Sequence, residues 1–143
     1  MKRLAWILCL FPLAGAVNAD VLDIKIDRKA SLQAGGSQVV VSGTVTCDVS
    51  SDSIFNNVTL FPAVVQFTQG KKIFNISAPT QFDTFPCSDP TTPSPYVLLV
   101  RSSGLPFKPG QATVSITVLQ VQCNEIACHF SNRNLNQEVV LNP

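Results

Sequence analysis

Cys123, Cys128 and the adjoining His129 place two sulfurs and an imidazole within seven residues, a donor density that a zinc site could use. A closed zinc site needs four ligands, however, and His129 is the only histidine in the chain. The same two cysteines enclose only Asn124-Glu125-Ile126-Ala127, a spacing that a short hairpin closes, so a disulfide is the better chemistry. Of the five cysteines, Cys9 falls in the apolar stretch at the start. That leaves Cys47, Cys87, Cys123 and Cys128, an even number, which in an exported chain is the composition of two disulfides. Pairing Cys123 with Cys128 leaves Cys47 for Cys87. On the chain-entropy view the long loop contributes about 4 kcal/mol and the short one about 2 kcal/mol.

Other reactive arrangements are thinly represented. A nucleophilic serine or cysteine needs a base beside it, and the lone imidazole adjoins a disulfide. Asp23 with Asp27 and Asp48 with Asp52 are carboxylate pairs close in sequence. Acid–base work requires groups converging from separate strands, so these read as solvated charge, with a weak Ca²⁺ site at Asp48 or Asp52 as the alternative. There is no Gly-rich phosphate loop and no paired-histidine motif. The expectation is a protein that is not an enzyme and takes no cofactor or metal. One composition anomaly remains: Phe55, Phe61, Phe67, Phe74, Phe82 and Phe85 crowd into 31 residues. They read first as core, and otherwise as the lining of a cleft for a small apolar ligand or as an apolar patch for a protein partner.

The elements that would position these groups begin after a leader. Lys2 and Arg3 precede an apolar run from Leu4 to Val17, and Val17-Asn18-Ala19 has the small residues of a cleavage site, so residues 1–19 read as a secretory signal peptide. The run covers about 14 residues, short of the roughly 20 that a membrane-crossing helix needs, and contains Pro12 and Gly15. No membrane association is expected after cleavage, and the location is secreted or periplasmic. Residues 20–143 then have the length of one domain. With Lys2 and Arg3 gone, eight basic residues face nine acidic ones without any run of like charge. That disfavours nucleic acid, whose phosphates call for clustered Lys and Arg.

The apolar pattern has period two throughout. Leu22, Ile24 and Ile26 alternate with Asp23, Lys25 and Asp27, and Ala34-Gly35-Gly36-Ser37 makes a turn. Val39, Val41, Gly43, Val45 and Cys47 share one face, which points Cys47 inward. From Asn57 to Gln69 both faces are apolar, and Pro62 marks a bulge or an edge because it lacks a donor. Gln69 to Lys72 is a turn before a short strand through Ile73 and Phe74, and Phe85 and Cys87 share a face. Asp89 to Pro95 carries three prolines and reads as irregular, followed by a strand from Tyr96 to Arg101. After a turn at Pro106 to Gly110, Ala112, Val114, Ile116 and Val118 alternate with Thr113, Ser115 and Thr117. Two short strands, around Cys128 to Phe130 and at Gln137 to Leu141, close the chain on either side of Asn-rich Ser131 to Asn136. These features define an all-β fold: an antiparallel two-sheet immunoglobulin-like sandwich. The tryptophan that antibody-type domains place between their cysteines is missing.

Gly43-Thr44-Val45-Thr46-Cys47, then Gln66, Gly70 and Cys87, then Phe107-Lys108-Pro109-Gly110-Gln111-Ala112-Thr113-Val114, together resemble small secreted bacterial Ig-like proteins of unknown function. The resemblance spans most of the mature chain and implies fold, not activity. The Cys123 to Cys128 hairpin is separately similar to the C-terminal part of neocarzinostatin-type apoproteins, which implies an Ig-like carrier of an apolar small molecule. The expected function is a secreted or periplasmic binding module for an unknown protein or small apolar ligand, with an assembly or adhesion subunit as an alternative.

Overall fold

A computed structural model describes residues 23–47, 52–68, 71–75, 83–86 and 91–143, with the backbone alone at 68, 71–75, 83, 85 and 86. The described elements are strands apart from one 3₁₀ turn at Ala34–Gly36. In chain order they are β1 (Asp23–Ile26), β2 (Lys29–Gln33), β3 (Gln38–Thr46), β4 (Phe55–Thr68), β5 (Lys71–Asn75), β6 (Asp83–Pro86), β7 (Ser94–Arg101), β8 (Gly110–Cys123) and β9 (Cys128–Asn142). The period-two pattern drives this outcome: on β3 and β8 every second residue is buried and its neighbours are not.

The nine described strands are linked in one hydrogen-bonded sheet, seven along the path β1-β3-β2-β9-β8-β4-β5 with β7 branching from β3 and β6 from β4, so that β7, β3 and β1 make one wing and β9, β8 and β4 the other. Strand β2 joins the wings, and it was not anticipated from sequence. Between Ile26, which pairs with Gly43, and Ser31, which pairs with Val40, the chain takes five steps against three on β3. The two extra residues carry the strand off β3 and onto β9, where Lys29, Ala30 and Ser31 pair in parallel with Val140, Leu141 and Asn142. The expectation of a wholly antiparallel fold is corrected at that one pair. The wings share a core: Val39, Val41, Val45, Leu98 and Val100 from one, and Val58, Leu60, Val64, Val114, Ile116 and Val118 from the other, form a single buried cluster. Burial of this apolar surface is the main force holding them together.

Three other boundaries differ from the sequence reading. Ser94 and Pro95 belong to β7, with Pro95 opposite Thr44, because an edge strand tolerates a residue without an N–H. Lys71 and Lys72 pair with Thr68 and Phe67 instead of turning. Ser131 to Asn136 does not interrupt the last strand: β9 stays in register with β8 from Gly110↔Leu141 to Cys123↔Cys128. Pro62 is placed as its chemistry requires. It lies between the segment bound to β6 (Asn57 to Leu60) and that bound to β5 (Val64 to Thr68), so no ladder on that side needs its missing donor.

Tyr96 ties the first wing together. It is buried opposite Gly43, and its hydroxyl donates to the Lys25 carbonyl at 2.7 Å. Burial, and secondarily the Asp27 carboxylate, push the phenol above its ordinary value near 10. The folded chain therefore keeps a proton that the unfolded chain releases above about pH 10, so this contribution to stability is whole below that pH and declines as the pH rises past it. Denaturation midpoints should fall progressively above pH 10, and Tyr96→Phe should flatten that decline. Tyr96 is the only tyrosine, so its tyrosinate absorbance reports the titration directly. A phenol that ionises near its ordinary value in the folded protein would contradict the assignment.

Candidate functional site

The terminal hairpin of β8 and β9 gathers the features that the core does not use. Its register brings Cys123 opposite Cys128, and the two are joined in a disulfide. Both sulfurs are thereby consumed, which removes them as thiolate ligands for a metal. The turn between them is held by Asn124, whose Oδ1 accepts the N–H groups of Ile126 at 2.9 Å and Ala127 at 2.8 Å, an Asx-type arrangement. The Asn124 N–H donates to the Ala127 carbonyl, and the Ile54 N–H to that of Cys123.

This rigid end displays apolar side chains to solvent. Ile126 is 93% exposed, Phe130 70%, Ile54 70% and Phe55 47%. Register places Phe55 beside the disulfide, and Phe130 opposite Val121 one row further along the same face. An open groove of about 310 Å³ runs between Ile54 and Ile126, floored by Asp52, Asn124 and Glu125. Apolar groups concentrated at a surface site mark contact with another molecule more often than isolated exposed residues do.

Below the tip the interior changes character. Along the inward face of β8, apolar Ala112 to Val118 give way to buried Gln120 and Gln122. The Gln120 amide donates to Asn56 Oδ1 of β4 at 2.8 Å, which offsets part of the cost of burying both groups. On the outward face polar side chains ladder across the hairpin: Ser115 donates to Asn136 Oδ1 and Thr117 to Asn134 Oδ1, each at 2.6 Å.

The residues singled out by sequence are dispersed. Cys47 is buried in the core as its strand parity requires, while Cys87 lies outside the described residues. Phe55 and Phe67 are exposed and Phe61 is half-buried, all on outward positions of β4. Phe74 and Phe85 are described in backbone only, in register with Val65 and Val58, and Phe82 lies outside the described residues. Phe67 lines a cavity of about 130 Å³ with Gln111, Ala112, Thr113 and Glu138, smaller than the roughly 300 to 1,000 Å³ usual for small-molecule pockets. His129 is exposed, in register with Gln122. Asp23 pairs with Lys25 at 3.5 Å whereas Asp27 accepts from Ser42, so the two carboxylates serve different neighbours. Asp52 accepts from Asn124 at the tip groove and Asp48 lies outside the described residues. Among the described residues no three His, Cys, Asp or Glu side chains converge as metal ligands would. Sequence reasoning passed over Ile54, Ile126 and Phe130. The signal for one of them was present, since Ile126 sits within a four-residue loop between cysteines that leaves no room for it to turn inward.

No protein-family model matches this chain, and no curated protein matches it. Among solved structures it is similar to AggA, the major subunit of aggregative adherence fimbriae type I from Escherichia coli, with a TM-score of 0.51 and 11% identity over 88% of this chain and 98% of that one. It also aligns with Spo0M, a sporulation control protein from Bacillus subtilis, with a TM-score of 0.32 and 11% identity over 84% of this chain and 49% of that one. The likeness to AggA lies in the β fold. Among the described residues no helix is long and apolar enough to cross a membrane.

Proposed function

We propose that this chain is an exported, non-enzymatic interaction module, a subunit of an assembled or adhesive structure outside the cytoplasm. The observation that carries the reading is the terminal hairpin: a disulfide-locked tip exposing Ile126, Phe130, Ile54 and Phe55. A fold shared with a fimbrial subunit supports it, since that scaffold serves assembly in the Escherichia coli protein. In this reading residues 1–19 direct export, the two wings are the layers of an immunoglobulin-like sandwich, and Cys47 and Cys87 form a second disulfide across them. Oxidising surroundings then suit all four cysteines.

The test is export followed by capture. The full chain, expressed in a bacterium with a photo-crosslinking residue at position 126, should be recovered oxidised from periplasm or medium. It should also yield discrete macromolecular adducts that are lost when Phe130 and Ile54 are changed to serine. Cytoplasmic retention, or a clean absence of adducts in envelope and medium alike, would overturn the reading.

A further inference from the structure

The strands run lengthwise between two ends of opposite character. Phe55, Cys123 and Cys128 stand in one row at the tip, whereas Gly110 with Leu141, and Gln38 with Arg101, stand at the far end, the base. The loop from β7 to β8 is fixed there at two points. Its Ser102 N–H donates to the Ser37 carbonyl and its Phe107 N–H to the Gly36 carbonyl, each at 2.8 Å. Between these points Ser102 Oγ donates to the Leu105 carbonyl at 2.6 Å and accepts the Gly104 N–H at 3.3 Å. The loop thus buries Phe107 in the core and holds Leu105 outward, 67% exposed.

Charge separates along the same axis. Exposed Arg101 and Lys108 flank Leu105 in the loop, and Arg28 and Lys29 lie at the same end, where β2 meets the last residues of β9. Segments 28–38 and 101–112 contain no carboxylate; Glu138, in register with Thr113, lies further up β9. The tip is the reverse. Segments 52–56 and 122–132 contain no lysine or arginine, and the groove between Ile54 and Ile126 is lined by exposed Asp52 and Glu125. At about 310 Å³ the groove exceeds the roughly 150 Å³ that admits a benzene-sized group, so a leucine side chain has room to enter.

We infer that the tip groove receives the Leu105 loop of a second copy of this chain, an inference that rests on the reading of the chain as an interaction module and names its partner. Leu105 enters between Ile54 and Ile126, while the cations on either side of it meet Glu125 and Asp52. An anionic surface would be repelled by those carboxylates, and an uncharged apolar ligand would leave them unanswered. Knob and groove occupy opposite ends of one molecule, so the contact is heterologous: every copy that docks its tip still offers a base, and assembly continues past two.

The test uses the purified, oxidised mature chain. In sedimentation it should form species larger than a dimer as concentration rises, and Leu105→Ser should weaken that association at least tenfold. Glu125→Lys and Lys108→Glu should each weaken it as well, because each sets like charges across the contact. Mixing these two variants should restore assembly, since both junctions in the mixture then join opposite charges. Thermal midpoints within 2–3 °C of the parent would confirm that the exposed substitutions leave the fold intact. A photo-crosslinking residue at position 126 should attach to the peptide containing Leu105. Association that stops at a dimer, indifference to Leu105→Ser, or no rescue on mixing would overturn the contact. Adducts from position 126 to other proteins alone would sink this inference and leave the proposed function standing. Assembly through Leu105 by a chain that stays in the cytoplasm when expressed would do the reverse.

Discussion

Gly43→Ala should be the most damaging small substitution in this protein, costing about 3 kcal/mol or more and lowering the thermal midpoint by roughly 10 °C or more. A methyl carbon at that position would sit 1.9 Å from the Lys25 carbonyl oxygen and 2.4 Å from the Tyr96 hydroxyl. The first neighbour is backbone in the β1·β3 ladder and cannot rotate aside. The second is the far end of a buried ring whose hydroxyl is bonded to that same carbonyl. Relief must therefore come from breaking β1 away from β3 or from expelling Tyr96, and either opens the first wing. Tyr96→Phe removes only the hydroxyl bond and should cost about 1 kcal/mol. The double variant should be no more stable than Gly43→Ala alone, because the carbonyl clash survives. A Gly43→Ala protein melting within 2–3 °C of the parent, on the scale of a surface change, would show that the contact is softer than its geometry.

That contact illustrates what sequence could and could not convey. Val39, Val41, Val45, Val114, Ile116 and Val118 declare their strands because apolar burial on one face imposes alternation. Gly43 lies in phase with them and is legible as an inward position, but nothing in the chain says that a ring from Tyr96, 53 residues later, fills the space above it. The Asn-rich stretch of β9 misled for a related reason. Asparagine is depleted in strands when considered alone. Here Asn134 and Asn136 are stabilised by Thr117 and Ser115 on the adjoining strand, a cross-strand pairing visible only once the register is known. The disulfide Cys123–Cys128 was legible because its loop is local. The β2·β9 parallel pair was not, since a strand that changes partners midway carries no distinguishing periodicity. The candidate site fared worst: phenylalanines drew attention through their number, while the exposed tip depends on which face each ring occupies.

Gln66 is the second position where a large effect is expected, and it links a motif legible in sequence to a role that only the fold reveals. Its side chain is buried among apolar strands, yet its amide is matched to the loop entering β8: Nε2 donates to the Lys108 carbonyl at 2.7 Å, and Oε1 accepts the Lys108 N–H at 2.9 Å. A weaker donation reaches the Gln111 carbonyl at 3.4 Å. These bonds hold Phe107 in the core, and the Phe107 N–H completes the clamp by donating to the Gly36 carbonyl at 2.8 Å. Gly36 must itself remain glycine, with φ at +88° and a would-be methyl carbon 2.1 Å from the Phe107 oxygen. Gln66→Leu preserves volume but takes their side-chain partner from the part-buried N–H and C=O of Lys108, at about 1–3 kcal/mol each. A total near 3 kcal/mol is expected, with the loss concentrated locally. Under native conditions the Lys108 and Phe107 amides should exchange with solvent many times faster, while amides from Ile116 to Gln122, paired with β4 and β9, keep their protection. Uniform acceleration across β8 would mean that Gln66 supports the whole sheet; unchanged exchange at Lys108 would mean that the loop is held by Phe107 alone.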